Sequence, residues 1–419
     1  MPARAAPVAA TQVMTATIAA PAGLPTTAGG VHDPVAGRTF IAWAAGHEGV
    51  YVRAYDHATG GWTPSVRVAG SVPESVPVPV PVPVPGSVRE SVPVPESVPV
   101  VGSVPVAGSV PVAGGGGGPR VVQAADGHLL IFRGLSGRGL RVARSARPHS
   151  IDGAWTDAAV AECRGATCPM PVRATDGAIF VFMVDAAGSL AYIRSADDGR
   201  TWRACAALTG AGEIRLGRPR HEPATPLHPE RIAIVYARGG GLHYTYFTPS
   251  DLRFHAADGR TLGADDAGGL ACLKVMDTSQ PAGPCPPDET GLVGSTLCGW
   301  PFVVWTRDGA EGRAAMWSPL GWRFRVLPAG LRAHDMERLD ATTWRVYATD
   351  AVGGPGVATY RLTAGTDWRF ESMIAMPAAV RRVELIADRR DPARFLAMGV
   401  DRDVFMAGLV DTSDVMVSC

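Results

Sequence analysis

A bulky aromatic residue returns along this chain at an almost constant interval, each time after a strand-like run and a polar turn. The clearest copies are YVRAYDHATGGW (51–62), LAYIRSADDGRTW (190–202) and LHYTYFTPSDLRF (242–254). Looser ones are LRVARSARPHSIDGAW (140–155), AAMWSPLGW (314–322) and VATYRLTAGTDW (357–368). They close on Trp62, Trp155, Trp202, Phe254, Trp322 and Trp368. Trp155 and Trp202 are 47 residues apart, and Trp322 and Trp368 are 46 apart. A fixed period of this size, filled with short alternating strands, is what one four-stranded propeller blade needs. Counting a degenerate last unit with strands near 380–387, 394–400 and 404–410, the repeat predicts an all-β chain. The expected fold is a β-propeller of about seven four-stranded antiparallel blades. Strand-like Val13 to Ala19 is expected to complete the final blade, because an open ring would leave unpaired sheet edges. A β-sandwich, or two unrelated β domains, would not need so even a spacing over the whole chain.

Two segments interrupt the rhythm. Residues 71–118 alternate Val and Pro and end in five glycines. Proline removes a backbone donor and fixes φ, so this stretch cannot enter a sheet and is expected to be disordered or polyproline II. Removing its 48 residues reduces the Trp62–Trp155 interval to 45. A second interruption, at about 264–299, carries Cys272, Cys285 and Cys298 within Pro-rich sequence and stretches the Phe254–Trp322 interval to 68. The organisation is therefore an N-terminal segment and first blade (1–70), the insertion (71–118), and the remaining blades (119–419).

Composition narrows the function classes. Acids and bases balance at 39 each, so no polyanion-binding surface of the nucleic-acid type is expected. Lys274 is the only lysine, and the other basic residues are arginine. No run approaches the ~20 apolar residues of a membrane helix. Met1 to Pro25 shows no clear signal-peptide pattern, which leaves the compartment open. Seven cysteines is an odd number, and neither the Cys163/Cys168 pair nor the Cys272/Cys285/Cys298 series has zinc-site spacing. No metal and no cofactor are expected.

One motif is specific. Ser195-Ala196-Asp197-Asp198-Gly199-Arg200-Thr201-Trp202 fits S-x-D-x-G-x-T-W at every fixed position, the pattern of an Asp box. Ser195, Asp197, Gly199, Thr201 and Trp202 are read as structural. The Ser and Asp satisfy turn donors, Gly199 supplies an unusual φ, and Trp202 packs between sheets.

With this motif inside its repeat, the chain resembles the BNR-repeat propellers of the sialidase-like superfamily, nearest the branch that contains ulvan-type polysaccharide lyases. The resemblance runs from about Thr39 to Leu262, through FIAW, DGHLLIF, CPMPVRATDGAIFVFMV and LHYTYF. It implies a propeller that handles acidic glycans. In that branch an Asp-Asp-His-Asn stretch precedes the second blade, and its His acts on the uronic acid. The matching place here is Gly115 to Gly118. A Tyr before Pro and an Arg sixteen positions on complete the family's site, and those positions hold Cys168 and Val184. The resemblance therefore implies the scaffold of a lyase with its catalytic residues replaced. The arginines Arg173, Arg220 and Arg381 at strand starts do not make a sialidase site, since its N-terminal Phe/Tyr-Arg-Ile-Pro motif is missing.

Polar first strands supply the ligand-binding candidates. These are Arg173, the cluster Arg218, Arg220, His221 and Glu222, and the pair His334 and Glu337 with Asp335 between them; His243 lies on an amphipathic strand. Facing a channel mouth, they would bind ligand there. The expectation is a monomeric, diverged, non-catalytic module that binds a polysaccharide, glycoprotein or protein. The alternative is a polysaccharide lyase or glycoside hydrolase for acidic glycans, with a site rearranged around His221, Glu222, His243 and His334. The Val-Pro tract would serve as a spacer or as a ligand for a protein partner.

Overall fold

The computed structural model describes residues 13–14, 28–44, 49–69, 118–135, 139–163, 166–208, 214–238, 241–263, 275, 291–296, 298–307, 311–329, 331–340, 342–350, 354–363, 368–390, 393–399 and 404–407. The Val-Pro stretch up to residue 117, and most of the 264–299 interruption with Cys272 and Cys285, lie outside them.

The protein is all-β, and among the described residues there is one short 3-10 turn, at Ala161–Cys163. The described strands form six sheets. Sheet 1 has nine strands and unites the two ends of the chain. Its N-terminal arm holds Ala28–Asp33, Arg38–Ala44, Val50–Asp56, Gly61–Trp62 and Val66–Ala69; its C-terminal arm holds Val380–Arg390, Ala393–Gly399, Val404–Ala407 and Val13–Met14. The arms meet through one parallel pairing, Val31 with Ala387. Val13 pairs with Ala407 and Met14 with Met406, so the described part of the Val13–Ala19 stretch adds a strand beside Val404–Ala407, as the need to cover a sheet edge predicted. Residues 15–19 are outside the described set.

Sheets 2 to 6 follow in chain order, each opening on Arg120–Gln123, Thr167–Arg173, Ile214–Leu216, Leu292–Ser295 and Leu331–Arg338 respectively. Four of the five are four-stranded antiparallel meanders, the topology that short turns impose on consecutive strands. Sheet 4 has six strands, because the short strands Ile214–Leu216 and Arg220–Glu222 pair in tandem with Arg231–Arg238.

Alternation along each strand explains how the sheets stack. In Ile179–Val184, Phe180 and Phe182 pack toward sheet 4 while Ile179 and Val181 pack toward sheet 2. Successive side chains point to opposite faces, so a strand covered on both sides reads as a continuous apolar run, IFVFMV. Seven apolar clusters among the described residues repeat this arrangement. One joins the N-terminal arm to sheet 2 through Phe40, Val52 and Ile131, and others join sheets 2–3, 3–4, 4–5 and 5–6. Tyr347 and Phe395 anchor sheet 6 against the C-terminal arm. Ile41, Trp43, Ile386 and Met398 then fill the space between the two arms of sheet 1. Each fully buried Phe or Leu contributes roughly 1.5–3 kcal/mol, so these interfaces carry most of the stability.

The 195–202 turn joins Leu190–Ser195 to Arg203–Leu208 in sheet 3. Ser195 Oγ donates to Asp197 at 2.8 Å and accepts from the Gly199 N–H at 2.8 Å. Asp197 accepts from the Thr201 N–H at 2.9 Å and the Thr201 hydroxyl at 2.6 Å. Gly199 has φ +79°, and a Cβ there would lie 2.5 Å from Leu130. Trp202 meets Phe132 of sheet 2 edge-on at 5.6 Å.

Candidate functional site

The first strands are rich in Gly, Pro and Arg and approach one another closely. A Cβ on Gly29 would lie 3.1 Å from the Pro119 carbonyl oxygen, and one on Gly30 would lie 3.0 Å from Ile386. At this end Gly29, Gly30, Arg120, Val121, Met170, Pro171, Arg218, Pro219 and Glu384 line a cavity of about 30 Å³. That is room for one or two waters and far too little for a sugar ring.

A network of charge surrounds the cavity. Arg120 pairs with Glu384, and Arg218 donates to Asp335 at 2.7 Å while lying 3.8 Å from Glu384. Arg220 reaches Asp335 at 3.0 Å and Arg382 reaches Glu384 at 3.6 Å. Both carboxylates are buried. Burial alone would raise the pKa of Asp335, but Arg218, Arg220 and the N–H groups of Leu385 and Met336 outweigh it and hold it below the usual range. The same contest lowers Glu384, with Arg120, Arg218 and Arg382 prevailing. Four guanidiniums on two carboxylates leave a formal surplus of two positive charges in this network. Arg218 remains a third exposed and Arg382 is 44% exposed, so part of that surplus faces solvent.

His334 adjoins this network. Its Nε2 is 2.7 Å from the Thr349 hydroxyl, and burial, with Arg332 and Arg382 beside it, pulls its pKa down to about 3. It is a neutral imidazole at physiological pH and too weak a base to take a carbon-bound proton efficiently. His243 is stacked on Tyr236, with ring centroids 5.2 Å apart.

The last residues of the first strands form separate polar groups. Asp33 accepts from Gln123 Nε2 at 2.5 Å and lies 2.8 Å from His149 Nδ1; Arg173 donates to the Gln123 carbonyl at 3.0 Å and lies 3.5 Å from Asp388. His221 is 2.6 Å from Glu230, which also accepts the Thr175 N–H. Glu222 accepts from Arg231 Nε at 2.6 Å, both buried. Glu337 gathers the Tyr347 hydroxyl at 2.6 Å, Arg389 at 2.7 Å, and Arg345 and Arg394 at 3.1 Å each. Of the candidates read from sequence, Arg218 and Arg220 share a partner, Asp335. Arg173, His221, Glu222, His243, His334 and Glu337 each have partners of their own. Arg120, Arg382 and Glu384 were missed, although they sit in the opening strands of the second and last repeats.

At the positions that matched the lyase residues, Cys168 is half-buried with φ +53° beside a register shift in its strand, and Val184 is packed in the apolar cluster between sheets 3 and 4. Among the described residues no group of three or more His, Cys, Asp or Glu side chains is arranged to hold a metal. No described helix is long and apolar enough to cross a membrane.

With that geometry in hand, solved structures provide the comparison. A structure described as a new family of polysaccharide lyase, PL25 ulvan lyase, is similar over 92% of this chain and 94% of its own, with a TM-score of 0.65 and 15% identity. The same lyase bound to -[GlcA(1-4)Rha3S]- gives a TM-score of 0.67 at 14% identity, over 96% and 99% of the two chains. The fold is shared with polysaccharide lyases. Polysaccharide lyase Uly1 is a further example, with a TM-score of 0.57 and 10% identity over 91% of this chain and 90% of its own. No family model matches the sequence, and the search of curated proteins found no match.

Proposed function

We propose that this protein is a seven-bladed β-propeller that binds an acidic polysaccharide at the first-strand end of its channel without cleaving it. The seven apolar clusters, taken in chain order and returning from the C-terminal to the N-terminal arm of sheet 1, support the propeller reading. The observation that carries the ligand class is the charge surplus. Arg120, Arg218, Arg220 and Arg382 converge on only Asp335 and Glu384, which leaves solvent-facing guanidinium groups to hold carboxylate or sulfate. The likeness in fold to a lyase bound to -[GlcA(1-4)Rha3S]- supports a glycan over other anions.

The absence of turnover rests on chemistry. β-Elimination from a uronate needs a base at C5, an acid at the leaving oxygen and a cation on the carboxylate. Here the cations are present, while the nearby imidazole of His334 is neutral and engaged with Thr349. A hydrolase or lyase site assembled from His221, Glu222, His243 and His334 would require these residues to leave four separate sets of partners. Calorimetric titration with uronate-bearing polysaccharides, together with the ultraviolet absorbance of unsaturated product, tests the reading. Saturable binding with a flat absorbance trace is expected; rising absorbance would replace the binding module with an enzyme.

A further inference from the structure

We infer that the small cavity between the first strands is a binding site for a monatomic anion of the halide class. This is separate from glycan recognition, because a cavity of about 30 Å³ excludes a sugar ring whatever binds outside it. Two observations point to a halide. The walls bring two arginines, Arg120 and Arg218, together with one carboxylate, Glu384, and that carboxylate is already engaged by Arg120 and neighboured by Arg382. The Arg120 side chain is only 9% exposed, and its Nε–H is buried without a hydrogen-bond partner. A buried donor on a charged group left unmade is expensive, so an acceptor is called for at that position.

Size and charge then select the acceptor. Phosphate and sulfate carry four oxygens and need more room than one or two waters occupy. A neutral water could accept the Nε–H but would leave the surplus positive charge of the network uncompensated. A halide is close to water in size, accepts several N–H donors and offsets one charge. The remaining walls, Gly29, Gly30, Val121, Met170, Pro171 and Pro219, are apolar or backbone, which suits a weakly hydrated ion. An occupied site would tie first strands of sheets 1, 2 and 3 and the 217–219 connection of sheet 4 to one ion, so its effect would be read in stability.

The test uses the full chain and two probes. Crystals grown in sodium bromide are expected to show an anomalous difference peak in this cavity, beside Arg120 Nε. In solution, chloride replacing gluconate at constant ionic strength should raise Tm saturably, by about 2 °C or more, and Arg120→Met should abolish the rise. The bromide measurement on the unmodified chain stands even if the variant does not fold. No bromide peak in the cavity, or the same Tm in chloride and gluconate, overturns the inference. The inference draws on the same charge surplus as the proposed polysaccharide site, and the two are told apart because polysaccharide binding is read by titration and absorbance, which neither of these measurements uses.

Discussion

Replacing Arg231 with methionine should destabilise the protein by about 4 kcal/mol, because it strands a buried charge. Glu222 is 2% exposed and Arg231 5%, so solvent screens neither. The Arg231 Nε donates to Glu222 at 2.6 Å, its Nη2 donates to the Gly299 carbonyl at 2.5 Å, and its guanidinium lies over the Tyr246 ring at 5.3 Å. Losing one partner of a buried pair costs roughly 3–5 kcal/mol, and the unmet carbonyl adds about 1 kcal/mol. Methionine recovers part of this by packing along the same path. Converting Glu222 to Gln in the same chain removes the stranded charge, so the Arg231→Met/Glu222→Gln double variant should regain about 2 kcal/mol over the single one. Urea unfolding followed by far-ultraviolet circular dichroism measures both, provided the m-values agree. A single variant that loses less than about 1 kcal/mol, or a double variant no better than the single, would refute a buried structural pair and return Glu222 to the pool of ligand-binding candidates.

Further expectations concern individual turns. Asp197→Ala should cost about 1–2 kcal/mol, in line with losing a side-chain cap. Burial would raise the pKa of Asp197, but the Thr201 and Ser195 bonds prevail and lower it to about 2. Its contribution is therefore complete above the ordinary carboxylate pKa of ~3.9 and fades as pH falls towards 2, so the gap between parent and variant should shrink over that range of acid unfolding. Gly127→Ala should lower Tm by several degrees, since Gly127 has φ +84° and a Cβ would lie 2.4 Å from His149 Nε2. Replacing residues 71–117 with a short Gly-Ser linker should leave Tm within about 2 °C, because loop closure depends only weakly on length; unfolding on deletion would contradict the domain boundary.

Strand content was legible because apolar runs such as IFVFMV, set between polar turns, permit little else. The pairing of Val13–Met14 with Ala407 and Met406 followed from the need to cover sheet edges. Pairing partners of charged residues were not legible. Asp335 meets Arg218 across 117 positions, and Glu384 meets Arg120 across 264. Such contacts are fixed by which sheets stack, and no local spacing records them. Grouping Arg218, Arg220, His221 and Glu222 by adjacency misled for the same reason. Strand alternation sends His221 to the opposite face, onto Glu230, and along the shared face Arg220 reaches Asp335 while Glu222 meets Arg231. Comparing the opening strand of each repeat position by position would have found Arg120 and Glu384.

The decisive measurement pairs calorimetric titration with absorbance, using a sulfated uronate polysaccharide at low salt. Saturable binding that weakens with added salt, is lost in an Arg218→Gln/Arg382→Gln variant that keeps its fold, and leaves the absorbance flat is the predicted result. Absorbance that climbs with time, or no heat of binding at any salt concentration, would contradict a non-catalytic acidic-glycan module.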